Sequence, residues 1–230
     1  MSNWLTIIGL IPLVGALILA TLNKSNELLA KQIALAISIL TAVVTFLMAL
    51  QFDRGITDLQ FVESYQWISS FGIKYALGVD GIALVLILLS VILVPIVIVA
   101  GWNEAVGGRW SVKTFYILVL VLETMMVGVF SATDVFLFYV FFEAMLIPVY
   151  FLIGGYGTGA RAAAAVKFLL YSLFGGLLML AAIIALYVIS LSQGAATFDT
   201  TALSHLEFSR TTENFLFLAF FIAFAIKAPL

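Results

Sequence analysis

The chain has 230 residues, is 64% hydrophobic and only 10% charged, and carries a net charge of −2 with a mean hydropathy of +1.24. A soluble domain has about 25% charged residues, so the composition excludes a soluble globular fold and predicts an all-α, polytopic bundle of transmembrane helices. No cysteine is present, which excludes disulfides, thiolate metal sites and iron–sulfur clusters on these residues, and the scattered single charges give no basic patch for nucleic acid.

In chain order, the apolar runs separated by charges or turn residues predict one membrane domain, 1–230, with about seven spans at 4–22, 32–51, 79–101, 114–132, 135–154, 163–191 and 214–230. The first run, Trp4 to Leu22, has no positive charge ahead of it and exceeds the usual apolar core of a signal peptide, so it reads as a retained helix. Within the longer connector 52–78, the partial alternation around Ser69-Ser70-Phe71-Gly72 predicts a small extramembrane hairpin, with Tyr65, Trp67 and Tyr75 suited to the interface. Gly154-Gly155-Tyr156-Gly157-Thr158-Gly159 lacks the preceding strand and the Lys-Ser/Thr ending of a phosphate loop, and reads as a flexible turn. The single histidine, His205, lies in a polar stretch and makes neither a haem site nor a histidine-rich metal site. Lys24, Lys31, Arg109, Lys113 and Arg161 fall in one alternate set of connectors; Arg54, Lys74 and Arg210 fall in the other, longer set. The positive-inside rule then puts the first set in the cytoplasm and the N-terminus outside. The last run ends Ile226-Lys227-Ala228-Pro229-Leu230 with no polar anchor, as if the sequence broke off inside a helix of a longer protein.

Against this apolar background four ionisable residues fall in or near spans: Glu123, Glu143, Lys167 and Lys227. Glu143 is the only charged side chain between Val135 and Gly159 and lies roughly 13 Å along its helix, near mid-membrane. A carboxylate at that depth costs about 2.5–3.5 kcal/mol on insertion scales, and intramembrane acids usually mark ion or proton paths. The alternative is a packing carboxylate kept neutral by burial. Two acids and two lysines can pair, and a pair is a switch: draw the carboxylate away and desolvation drives the lysine to release its proton. Pro148 cannot donate to the carbonyl of Ala144, nor Pro229 to that of Ala225. Both are therefore candidate helix breaks beside a buried charge, where freed carbonyls can hold water. Pro12 and Pro95, in uncharged surroundings, read as structural kinks. Lys227 is too deep for easy snorkelling, whereas Lys167 near its helix start is either a relay residue or a snorkelling lysine. Tyr171 and Gly175 share the face of Lys167, and Gly175-Gly176 would let another helix approach. Glu123, the weaker candidate, is free to pair with either lysine or with a neighbouring subunit. Asp80 and Asp134 open helices and read as dipole compensation.

The stretch from Ser131 through Glu143 and Pro148 to Phe151 closely resembles subunit M of bacterial respiratory complex I, the proton-pumping NADH:quinone oxidoreductase. Gly78-Val79-Asp80-Gly81, Ala163 to Tyr171 (with Lys167) and Phe220 to Leu230 (with Lys227) resemble that family's third, sixth and broken seventh helices, in order along the chain. The resemblance implies an antiporter-like fold of about fourteen helices in two inverted repeats, of which this chain resembles the N-terminal part. It implies that Glu143 and Lys227 form a proton-carrying pair, with Lys167 leading toward the central axis. It also implies neighbouring antiporter-like subunits as partners in the bilayer of a bacterial inner membrane. NADH, flavin, iron–sulfur clusters and quinone would then belong to other parts of the complex and none to this chain. The rivals are a subunit of a multisubunit sodium/proton antiporter or membrane-bound hydrogenase, or an inert truncated fragment.

Overall fold

The computed structural model describes residues 3–194 and 196–228. The helices are α1 (Trp4–Thr21), α2 (Glu27–Ala49), α3 (Gly81–Ala100), α4 (Val112–Ser131), α5 (Val135–Ala144), α6 (Leu146–Tyr156), α7 (Arg161–Ser192), the single turn α8 (Thr200–Leu203) and α9 (Arg210–Lys227). Among the described residues five of these, and α5–α6 taken together, are long and apolar enough to cross a membrane, making six such spans. The stretch predicted at 214–230 coincides with α9, which is not among the six: Arg210, Glu213 and Lys227 make it too charged for a span judged by composition alone. It nevertheless packs along α7, with Ala223 buried.

The helices turn apolar side chains outward, as lipid-facing helices must. Leu17 of α1, Phe46 of α2, Val85 and Ile96 of α3 and Leu170 of α7 are all exposed. α1 to α4 pack together around two apolar clusters. One is built from Leu19, Ala34, Ile98, Tyr116 and Leu120; the other holds Ile8, Met48, Ile87 and Val127. A third cluster joins α5, α7 and α9 through Phe142, Met179, Ile183 and Ala223.

Two of the basic residues counted above for orientation are spent on contacts within the bundle. Lys113 donates to the carbonyls of Ala20 and Leu22 at 2.9 and 2.7 Å, at the C-terminus of α1. Lys31 is buried, donating to Asn103 Oδ1 at 3.3 Å with its ammonium 5.6 Å from the Trp102 ring. The glycine run is only partly a turn. Gly154 to Tyr156 finish α6, and the Trp110 ring lies so close to Gly155 that a side chain there would collide with it.

At the opposite end, β1 (Gln60–Ile68) and β2 (Ile73–Val79) form an antiparallel hairpin, turning through Ser69–Phe71 and a left-handed Gly72 (φ 71°). β2 is stitched to the α4–α5 linker, where the Thr133 N–H donates to the Ala76 carbonyl at 2.9 Å. The linker is stitched in turn to the segment before α8: the Val135 N–H donates to the Phe198 carbonyl at 2.8 Å, and the Thr200 N–H to the Thr133 carbonyl at 3.0 Å. Asp134 sits at the crossing, buried. Its Oδ1 accepts from the N–H groups of Phe136 and Leu137 at 3.0 Å each, capping α5, and its Oδ2 accepts from the Lys74 N–H at 3.0 Å. Asp80 caps α3 in the same way through the Ala83 N–H at 2.7 Å.

α1 has no cap of its own from Asn3. Glu63 of β1 supplies it, buried and accepting from the N–H of Leu5 at 2.7 Å and of Thr6 at 3.2 Å, and from the Thr6 hydroxyl. Tyr75 lies 3.1 Å from that hydroxyl. Burial raises the Tyr75 phenol above its ordinary value; the Thr6 hydrogen bond opposes this, and Glu63 and Tyr65 add to it. The unfolded chain therefore loses this proton first, so the neutral phenol's stabilisation is complete below about pH 10 and declines as pH rises beyond it. Denaturant unfolding followed between pH 9 and pH 11 is expected to show that decline, and Tyr75→Phe to reduce it.

Candidate functional site

Pro148 has no N–H for the Ala144 carbonyl, and the long helix from Val135 to Tyr156 is interrupted at Met145, one residue after Ala144. Glu143 therefore occupies the last turn of α5, just before the interruption. Lys227, in the last turn of α9, reaches it from across the bundle. Its Nζ lies 3.8 Å from Glu143 Oε1 and donates to the Phe142 carbonyl at 2.6 Å. The same ammonium stands 3.7 Å from the centre of the Phe142 ring, a cation–π contact. Phe138 and Phe224 pack on Phe142 at 5.5 and 5.7 Å between ring centres, so the ammonium enters through an aromatic wall. Both charged side chains are mostly buried, 19% exposed for Lys227 and 15% for Glu143.

α7 makes the room. A Cβ on Gly176 would fall on the Glu143 carboxylate, so the absence of a side chain there is what admits the acid. The adjacent Gly175 faces α9 instead, where an added Cβ would meet Ala223 Cα and Ile226 at 3.4 Å. The glycine pair thus serves two neighbours at once. Its signal in the sequence was close helix approach; its fit to a carboxylate was not legible there.

The geometry is that of a loose pair. At 3.8 Å the lysine and glutamate are beyond hydrogen-bond range, and Glu143 Oε1 has no hydrogen-bond partner among the described residues. The ammonium is seated on a carbonyl and a ring, with the carboxylate in reach. Proton transfer between Nζ and Oε1 would require a small closure or a bridging water.

The other candidates are not drawn into this pair. Lys167 is exposed on the outer face of α7 beside Leu170 and Tyr171 and makes no ion pair among the described residues. It precedes Gly176 by nine positions, roughly 13 Å along the helix. Glu123 is fully buried in α4, and neither carboxylate oxygen has a hydrogen-bond partner among the described residues. The pairing of Glu123 with a lysine is therefore not formed here: α4 packs mainly on α1, α2, α3, α5 and α6, while Lys167 and Lys227 sit on α7 and α9. Pro229 lies outside the described residues. No group of three His, Cys, Asp or Glu side chains among the described residues is placed to hold a metal ion.

Comparison with known proteins follows this geometry. Residues 132–230 match the family described as NADH:quinone oxidoreductase/Mrp antiporter, transmembrane. The chain is 44% identical to NADH-quinone oxidoreductase subunit M of Mycobacterium tuberculosis, over 99% of this chain and 47% of that protein. It is 38% identical to the subunit of the same name in Rhodobacter capsulatus, over 100% of this chain and 46% of that one. Its fold matches a chain of respiratory complex I from Thermus thermophilus with bound NADH, with a TM-score of 0.82 and 28% identity, covering 98% of this chain and 44% of that chain. The chain spans about half the length of the curated relatives it matches. The resemblance to subunit M and the all-helical, antiporter-like, multi-pass membrane fold are borne out.

Proposed function

Taking that shared transmembrane fold as the premise, we propose that this chain is the proton-translocating part of a membrane subunit of NADH:quinone oxidoreductase, and that Glu143 and Lys227 carry the proton. The observation that supports this most directly is the loose ion pair at 3.8 Å inside an apolar bundle. A structural salt bridge is best made tight and fully hydrogen-bonded; this one leaves Glu143 Oε1 open and gives the lysine a second seat on the Phe142 carbonyl. When the ammonium sits against the carboxylate, both charges are stabilised. When it withdraws to the carbonyl and ring, the uncompensated carboxylate takes up a proton from water at the helix interruption. Lys167, on the outward face of α7, receives from the pair and passes protons toward the neighbouring part of the assembly. Glu123, separated from the lysines, is a lesser member of the path.

In this reading residues 1–230 form one membrane domain of seven spans with the 52–78 hairpin outside it. The chain sits in the bacterial inner membrane, N-terminus outside and the Lys24–Arg161 set of charges in the cytoplasm. Its partners are the neighbouring antiporter-like subunits. NADH, flavin, iron–sulfur clusters and quinone act elsewhere in the complex. The residues here do not fit an iron–sulfur cluster, having no cysteine.

The test is NADH-driven acidification of inverted membrane vesicles from cells carrying Glu143→Gln in the full-length gene. With the complex assembled, proton translocation is expected to fall at least tenfold, and Lys227→Met to match it. Unchanged translocation would make Glu143 a packing carboxylate and end the proposal. Abolishing the sodium gradient in the same vesicles separates the reading from a sodium/proton antiporter: translocation by the unaltered protein should not change.

A further inference from the structure

We propose that a crevice between α4 and α6, at the basic end of the bundle, binds one anionic phospholipid. The crevice has a volume of about 510 Å³ and is lined by Lys24, Arg109, Trp110, Ser111, Thr114, Leu118 and Phe151, within the usual range for a small-molecule site. Its chemistry is layered along the bundle axis. The two cations, both exposed, come from the connectors at the basic end. Trp110 and the hydroxyls of Ser111 and Thr114 come next, where an interface aromatic and a glycerol ester belong. Leu118 and Phe151 lie further along the helices, with Phe151 open to the lipid side. Ser111, Thr114 and Leu118 lie on one stripe of α4 at helical spacing, so the slot runs roughly 10 Å down the helix toward the hydrocarbon.

The two cations are distinguished from their neighbours by being unclaimed. Lys31 is held by Asn103 and Trp102, Lys113 by the carbonyls of Ala20 and Leu22, and Arg161 leans on the carbonyls of Gly155 and Gly157. Lys24 and Arg109 make no ion pair among the described residues and both line the crevice. The site is also built rather than incidental. The Arg109 N–H donates to the Gly155 carbonyl at 2.9 Å, pinning the backbone beside Trp110. The Trp110 ring fits over Gly155 and stands edge-on to Phe151 at 5.6 Å. The two hydroxyls lie 3.0 Å apart, and the Ser111 side chain does not cap α4, which leaves hydroxyl capacity facing the crevice. Two unclaimed cations over an apolar slot fit a phosphodiester carrying an acyl chain. Basic pockets between transmembrane helices bind such headgroups.

Trp110 is the reporter. In nanodiscs of phosphatidylcholine, bromine-labelled phosphatidylglycerol is titrated against bromine-labelled phosphatidylcholine, and the Trp110 signal is taken as the difference between the chain and its Trp110→Phe variant. Phosphatidylglycerol is expected to quench at about thirtyfold lower mole fraction, given two basic side chains near the surface at about 1 kcal/mol each. The Lys24→Gln/Arg109→Gln double variant is expected to quench equally with both lipids. Leu118→Phe narrows the slot but keeps both charges, and is expected to weaken phosphatidylglycerol quenching; it carries the test if the double variant loses its helical circular dichroism. Equal quenching by the two lipids in the unaltered chain overturns the site. So does relief of phosphatidylglycerol quenching by millimolar inorganic phosphate, which would assign the cations to a free anion.

Discussion

Gly176→Ala is expected to stop NADH-driven proton translocation as completely as loss of the Glu143 carboxylate, although it removes no charge. The added methyl would occupy the space of the carboxylate itself. Glu143 must then swing away from Lys227, or α7 must move out from α5 and drag its packing on α9 with it. The carboxylate is the free end of a flexible side chain, so the displacement falls on the acceptor of the proposed transfer rather than on the fold. Gly175→Ala is the control. One residue away, its methyl would meet α9 at 3.4 Å, an ordinary contact, and alanine is a better helix former by about 0.5–1 kcal/mol. The pair of variants should therefore separate sharply: translocation lost in one and kept in the other, with both complexes assembled. Equal behaviour would show that Gly176 does not position the carboxylate.

Asp134→Ala is expected to cost about 2–4 kcal/mol of stability without touching the proton path. The loss of an N-cap costs about 0.5–2 kcal/mol and a buried N–H left without its acceptor about 1–3 kcal/mol, and about 2–4 kcal/mol is the middle of their combined range. The three donors come from two elements: Phe136 and Leu137 open α5, and Lys74 belongs to β2. Asp134→Asn keeps an acceptor oxygen and should recover much of the loss. Unfolding in mixed micelles on titration with sodium dodecyl sulfate measures both. Equal stabilities for the alanine variant and the unaltered chain would show that water replaces the carboxylate.

What the sequence made legible is what depends on local composition. Apolar runs located the helices, and Ser-Ser-Phe-Gly located the hairpin turn, because Gly72 alone in that segment takes a left-handed conformation without strain. Glu143 and Lys227 stood out as isolated charges in apolar runs, and the structure places them together. Partnerships across long separations were not legible. Glu63 caps a helix 57 to 58 residues away, and nothing in its own neighbourhood marks it as other than a loop carboxylate. Lys31 and Lys113 counted as surface charges for orientation, yet they are spent on Asn103 and on the end of α1. Glu123 reads in the sequence as able to pair with either lysine or with a neighbouring subunit, because burial demands compensation; no lysine pairs with it among the described residues. Its isolation follows from the neighbours of α4, chiefly α1, α2, α3, α5 and α6 rather than the helices that carry the lysines, which no periodicity reveals.

The seam around Asp134 also sets a clock on biosynthesis. Its first half, β2 against the α4–α5 linker, is complete as soon as the linker has been made. Its second half waits for Phe198 and Thr200, the latter 67 residues after its acceptor Thr133. At about 5–20 residues per second that delay is roughly 3–13 s. During it α5, α6 and α7 must insert while the Thr133 carbonyl and the Val135 N–H have only water or translocation machinery to satisfy them. Ribosome pausing placed before residue 198 would lengthen this interval, and the nascent chain would then be most exposed to membrane quality-control proteases at the linker.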